Sequence, residues 1–221
     1  MSLAIFDLDN TLLGDDSDYL WGQFLVEQGL VDGEFYEREN QRFYDAYRAG
    51  TLDIHAFLAF MLQPLTEHPL PRLLDWRAQF LAEKIEPIIL PKAIALLERH
   101  RANDDTLLII TATNRFITAP IAERLNVPNL LATEIESIDG RYTGRPLGTP
   151  CFQGGKVERL RAWLAETGQH LADSWFYTDS HNDRPLLDQV THPVAVDPDE
   201  TLAQHAAACG WPIISLRENG E

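Results

Sequence analysis

The chain is 221 residues long, with 18 basic and 34 acidic side chains, a formal net charge of −16 and 45% hydrophobic residues. Disordered chains combine high charge with low hydrophobicity, so this composition points to a packed globular protein. Binding to nucleic acid or to an anionic membrane surface needs dense Lys and Arg clusters; none occurs along the chain, and both are excluded as partners.

The first apolar run, Leu3 to Phe6, reads as a short strand buried on both faces. It stops abruptly at Asp7-Leu8-Asp9-Asn10-Thr11. From 16 to 86 the pattern is helical and rich in aromatics, with Gly29, Gly50 and the segment Pro64 to Pro71 as breaks between helices. Pro91 opens a helix running to Ala102, in the first-turn position that proline favours. A second buried strand, Thr106 to Thr111, precedes a helix from Arg115 to Leu125, which Pro120 is expected to kink unless it falls in the first turn. The apolar stretch Asn129 to Ile135 leads to Asp139-Gly140, a two-residue hairpin signal. Lys156 to Glu166 is an amphipathic helix with Val157, Leu160 and Leu164 on one face. Trp175 to Tyr177 and Val194 to Val196 are further strands, and Pro212 to Ser215 a short edge element. Cys151 and Cys209 have no metal-type or disulfide spacing and are expected as small, buried or half-buried side chains. No basic segment followed by a long apolar run opens the chain and no run reaches membrane-spanning length, so a cytoplasmic protein is expected.

Strands alternating with helices predict an α/β fold whose parallel sheet is covered on both faces and gathers ligands at the carboxyl ends of its strands. The helical stretch then reads as an all-helical cap, 15–87, inserted into a Rossmann-like core made of 1–14 and 88–221. Three strands deliver polar groups to one rim: Asp7 after the first, Thr111 after the second, and Thr178 with Asp179 after Tyr177.

Asp7 and Asp9 begin on one side of an extended chain, where unpaired anions repel and a divalent cation is the usual remedy. A helix cap is one other reading of the pair. A calcium loop starting at Asp7 fails, because Leu12 stands where glycine is needed, Thr11 where Asp or Asn is needed, and Asp18 where Glu is needed. Thr111 offers a hydroxyl, or the amides beyond it, to a phosphoryl oxygen. Gly154-Gly155-Lys156 puts a cation at a helix N-terminus, where the macrodipole disfavours it; the other reading is a solvated surface lysine.

Asp7-x-Asp9-x-Thr11, then Thr111, Lys156 and Asp179-x-x-x-Asp183, in this order and at strand ends, resemble the haloacid-dehalogenase-type hydrolase superfamily across essentially the whole chain. The helical insertion resembles the cap of its phosphoserine-phosphatase-like branch. The resemblance implies a phosphatase in which Asp7 is the nucleophile and Asp9 the proton carrier. It implies Mg2+ held by the Asp7 carboxylate, the Asp9 backbone carbonyl and Asp179, with Asp183 supporting the metal site and Lys156. Lys156 and Thr111 would bind phosphoryl oxygens, and Thr11, Ala112, Asn114 and Asn182, within these motifs, are expected to contact substrate. The motifs depart from that branch at Thr111-Ala112-Thr113-Asn114 and at Thr178-Asp179-Ser180-His181-Asn182-Asp183, and are more similar to bacterial members acting on histidinol phosphate.

The acids Asp15, Asp16 and Asp18 beside a phosphate site would repel substrate unless they meet a cation. They point to a small phosphorylated metabolite carrying an amine, with Asp16 or Asp18 as its partner and Tyr19 or Trp21 nearby; the other reading is that they flank the first cap helix. Trp21 is expected in the core, and His181 to shape its loop. Gly14 and the segment near Pro87 are hinge candidates. Two further readings of the motifs are a phosphotransferase or mutase using the same aspartyl-phosphate, and a non-catalytic phosphate-ligand-binding protein, against which the filled motif positions argue.

Overall fold

The computed structural model describes residues 2–217; Met1 and 218–221, the outer ends of the expected core segments, lie outside the described residues. The strands are β1 (Leu3–Phe6), β2 (Thr106–Asn114), β3 (Asn129–Thr133), β4 (Ile135–Ile138), β5 (Arg141–Pro146), β6 (Trp175–Thr178), β7 (His192–Val196) and β8 (Ile213–Ile214). The helices are α1 (Ser17–Glu27), α2 (Gly33–Arg48), α3 (Ile54–Thr66), α4 (Leu70–Phe80), α5 (Pro91–Ala102), α6 (Arg115–Arg124), α7 (Gly154–Thr167), α8 (Arg184–Leu187) and α9 (Glu200–Cys209).

Six strands form a parallel sheet in the order β3-β2-β1-β6-β7-β8, while β4 and β5 form a separate antiparallel hairpin. Leaving the hairpin aside, this is the doubly wound order, and its reversal lies between β1 and β6, where such sheets hold their ligands. Side chains alternate across β1: Ala4 and Phe6 join the apolar cluster on one face, Leu3 and Ile5 that on the other. Every β1 side chain is buried, as its unbroken apolar run requires.

Helices α1–α4 fall between β1 and β2 in the chain. Three of them start on an aspartate whose carboxylate accepts a backbone N–H: Asp16 from Tyr19, Asp32 from Phe35 and Asp53 from Ala56. The insert shares one continuous apolar cluster with a face of the sheet, in which Trp21 packs edge-on against Phe80 and Phe116. The two connections to the insert run side by side: Gly14 N–H donates to the Ile88 carbonyl at 2.8 Å, and Leu13 bridges Ile89.

Several expectations are corrected. Pro64 lies inside α3, and the break comes only after Thr66. β2 continues past Thr111 to Asn114, with an irregular register against β3 beyond Ile110. Pro120 sits mid-helix in α6, and the Phe116 carbonyl that its missing N–H leaves free accepts from Arg77 Nη1 at 2.9 Å. Cys151 is buried but Cys209 is exposed at the end of α9. Asp139 and Gly140 take φ values of 51° and 75°, the left-handed pair expected of a tight hairpin turn.

Candidate active site

Asp7 follows β1 directly, its N–H bonded to the Tyr177 carbonyl of neighbouring β6 at 2.9 Å. Beyond Asp9 the chain turns at once. Asn10 adopts φ 55°, and the N–H groups of Leu12 and Leu13 both reach the Leu8 carbonyl. The turn buries Leu8, Leu12 and Leu13 and leaves the two aspartates at the rim.

Lys156 arrives from the first turn of α7. A Cβ on Gly155 would stand 2.0 Å from the Pro150 carbonyl oxygen, so only glycine lets 149–152 close against the helix start. Lys156 Nζ then donates to Asp7 Oδ1 at 2.7 Å and to Asp183 Oδ2 at 2.8 Å. Thr178 Oγ1 also donates to Asp183 Oδ2, at 2.7 Å. All four side chains are buried. The two carboxylates keep Lys156 charged against the opposing effect of burial. Burial pushes Asp7 up to about 7 despite Lys156, with Asp183 and Asp9 pushing the same way.

Asp9 faces elsewhere. Its Oδ1 accepts the Ser17 N–H at 2.7 Å, and its Oδ2 accepts the Thr113 hydroxyl at 2.9 Å and the Thr111 hydroxyl at 3.4 Å. Burial raises its pKa, against these hydrogen bonds. A carboxyl raised in this way is suited to proton transfer.

Asp7, Asp9, Thr111, Ala112, Lys156 and Asp183 line one cavity. Asp16 and Asp18 line it as well, so they both flank α1 and face the site. Burial and the neighbouring Asp9 and Asp15 push Asp16 up to about 7. Asp18 is held well above the usual carboxylate range by burial, then by Asp16 and Asp9. Among the described residues the ion pairs at this cavity are those of Lys156 with Asp7 and Asp183; none reaches Asp16 or Asp18. The rest of the wall is largely aromatic, from Phe43, Tyr44, Tyr47, Phe57 and Phe152.

Four expected site residues stand outside this wall. Thr11 is fully buried and exchanges hydrogen bonds with Asp179, so it positions that acid instead of meeting a ligand. Asn114 caps α6 and donates to Asp18 Oδ1 at 3.3 Å, one layer behind the cavity. Asn182 bonds to the Tyr47 carbonyl and Gln153. Asp179 opens onto an adjoining groove shared with Asn10 and Tyr47; burial, Asp7 and Asp183 raise its pKa well above the usual range. Trp21 is core, as expected, while Tyr19 lines the cavity. His181 shapes its loop: its Nδ1 lies 2.8 Å from Asp199 Oδ2. The sequence reading missed Thr113, Asn40 and the aromatic wall; for Thr113 the available signal was its place two residues after Thr111, on the same side of an extended strand.

A protein of Neisseria meningitidis serogroup C (strain 8013) named histidinol-phosphatase is 44% identical over 220 residues, covering 98% of this chain and 99% of the relative. A solved structure from Bordetella pertussis Tohama I, described as a protein with unknown function, is 43% identical, with a TM-score of 0.92 over 98% of this chain and 99% of that one. A phospho-aspartyl intermediate analogue of phosphoserine phosphatase shares the fold at a TM-score of 0.71 and 16% identity, over 98% of this chain and 94% of that one. The sequence profile of the haloacid dehalogenase-like hydrolases matches residues 4–188, and the chain belongs to that family.

Proposed function

We propose that the protein is a Mg2+-dependent phosphatase that hydrolyses a small, amine-bearing phosphate monoester, histidinol phosphate first and phosphoserine next, through an aspartyl-phosphate on Asp7. The observation that carries this reading is the polarity of the cavity. One end holds Asp7 against Lys156; the other presents Asp16 and Asp18 with no cation of their own. A phosphate with an ammonium group a few bonds away satisfies both ends. The aromatic residues of the same wall suit a flat, partly cationic ring such as imidazole. The Neisseria relative's name agrees with this substrate.

The donor set at the rim fits Mg2+. Besides burial, Asp183 pushes the pKa of Asp7 up, and Asp7 and Asp183 push that of Asp179 up; Lys156 bonds only Asp7 and Asp183, so the group lacks a cation on the Asp179 side. Among the described residues no three acidic, His or Cys side chains converge as a finished cage. Mg2+ does not need one, since it keeps several waters and takes one or two carboxylates plus phosphate oxygens. Asp7, Asp179 and the Asp9 carbonyl would hold it, with Asp183 fixed behind them by Lys156 and Thr178. Bound there, it supplies positive charge where two anions must meet.

In the first step an Asp7 oxygen attacks phosphorus and the bond to the leaving oxygen breaks, while Asp9 donates its proton to that oxygen. In the second, water attacks phosphorus, Asp9 takes the water's proton, and phosphate and free Asp7 are released. Lys156 and the Thr111 hydroxyl neutralise the equatorial oxygens, which is most of what phosphoryl transfer asks of a protein. The hydrogen bonds from Ser17 and Thr113 keep the Asp9 side chain turned away from Asp7's cation partners. The test is phosphate release from a panel of monoesters by purified protein with Mg2+. Amine-bearing compounds should lead the panel; a preference for sugar phosphates would remove the role given to Asp16 and Asp18.

A further inference from the structure

Asn182 stands behind the cavity wall with both ends of its amide engaged. Its Nδ2 donates to the Tyr47 carbonyl at 3.1 Å, at the C-terminal end of α2, and its Oδ1 accepts from Gln153 Nε2 at 2.9 Å. These two bonds join three segments: the helical insert, the residue that precedes α7 and its Lys156, and the loop bearing Asp179 and Asp183. Gly50, just past α2, takes φ +69°, and a Cβ there would stand 2.8 Å from His181 Nε2. The His181 ring is braced. Its Nδ1 and its backbone N–H each lie 2.8 Å from Asp199 Oδ2, and the Asp199 N–H donates to the Asp179 carbonyl at 2.8 Å. A side chain at position 50 would therefore press on the same loop that Asn182 holds.

Tyr47 completes the arrangement. It lines both the cavity and the groove onto which Asp179 opens, so it stands between them. Its phenol is near enough to Asp179, Asp7 and Asp183 for their charges to oppose its ionisation. The end of α2 thus reaches the reacting region through one residue, whose backbone is held by Asn182.

We infer that the Tyr47–Asn182 hydrogen bond, with Gly50 seated against His181, is a positioning junction: the docked end of α2 sets the loop of Asp179 and Asp183 and closes the cavity over the phosphoryl group. The inference rests on the phosphatase reading of the site but not on the identity of the substrate. Asn182, Gly50 and His181 act through the loop and touch no reacting atom. One hydrogen bond and one van der Waals seat are a light hold, which suits a contact released and remade at each turnover.

The test compares Asn182→Ala and Gly50→Ala with the wild type, Mg2+ supplied, on the best amine-bearing substrate and on acetyl phosphate, which is too small to span the cavity. The junction acts on the phosphoryl group that both carry, so it predicts a similar loss in kcat/KM on the two, about 10-fold, the scale of one hydrogen bond. Hydrogen exchange gives a second readout that needs no turnover. Inorganic phosphate with Mg2+ should slow exchange in 45–50 and 180–183 together in the wild type, and fail to do so in both variants. No loss on either substrate, a loss confined to the larger one, or phosphate protection that persists in the variants would overturn the inference. Absence of turnover on every phosphate tested would instead strike the phosphatase reading, leaving the exchange result to judge the junction.

Discussion

Asp7 and Asp183 share one cation, Lys156, and that sharing separates the consequences of changing each partner. Asp7→Asn removes the proposed nucleophile while Lys156 keeps Asp183, so turnover should fall by at least about 10³-fold with an unchanged circular dichroism spectrum. An active Asp7→Asn variant would sink the mechanism. Asp18 makes a different case, because its folded-state pKa is raised by burial, Asp16 and Asp9. A raised carboxyl destabilises the fold increasingly as pH climbs from the unfolded value near 3.9 through the folded one. Asp18→Asn should therefore raise the Tm at pH 8, with the gain vanishing near pH 4, and should cost about 10²-fold in kcat/KM for an amine-bearing substrate. Thermal melts at the two pH values and steady-state kinetics check both halves. At this scale Asp7, Thr111 and Lys156 were legible because each directly follows an apolar run or a glycine pair, and Asp9 and Asp183 because of their spacing from Asp7 and Asp179. Thr11, Asn114 and Asn182 were misjudged because a motif tells which loop a polar residue occupies, not which side of it faces the ligand.

α6 illustrates how an element tolerates what its sequence forbids. Pro120 deprives the Phe116 carbonyl of its helical partner, and Arg77 of α4 supplies one while stacking over the Phe116 ring at 4.9 Å. The proline thereby becomes an attachment point between insert and core. Arg77→Met should orphan that carbonyl and cost about 1 kcal/mol, lowering the Tm by roughly 2–4 °C in a domain of this size. An unchanged melt would mean that water replaces Arg77 there. Only the proline half of this pairing was visible in the sequence, because its partner lies 39 residues away on another helix. Local elements were easier: the Asp139-Gly140 turn and the proline-led α5 follow from backbone preferences of one or two residues. The aromatic residues of α2 and α3 were not resolvable into core and cavity wall. Helical spacing makes Phe43 and Phe57 look like Leu58 and Met61, although the first two line the cavity and the last two lie in the core.

Across the whole molecule, the doubly wound order brings the ends of β1, β2 and β6 to one rim, and that convergence was readable from three polar residues following three apolar runs. The interlock of insert and sheet in one apolar cluster was not, since it depends on contacts between segments far apart in the chain. Beneath the rim a buried polar chain ties the layers: His100 Nδ1 meets Asp105 Oδ2, and its Nε2 meets the Tyr177 hydroxyl, both at 2.8 Å. Burial lowers the His100 pKa against the pull of Asp105. The unfolded chain then binds the extra proton first, so the contribution is complete above about pH 6.5 and is lost as pH falls through the folded value. The raised carboxylates at the site push the other way, so the effect is read as a difference. The wild type should lose Tm between pH 6.5 and 5 relative to His100→Gln; parallel melting curves would remove His100 from the account. In the proposed reading one cavity joins a phosphoryl end at Asp7 to an ammonium end at Asp16 and Asp18. The decisive comparison is kcat/KM, with Mg2+ supplied, for histidinol phosphate and its deamino analogue, in which hydrogen replaces the ammonium group. A preference for the amine of about 10²-fold or more is expected, and equal turnover of the two would remove Asp16 and Asp18 from substrate binding.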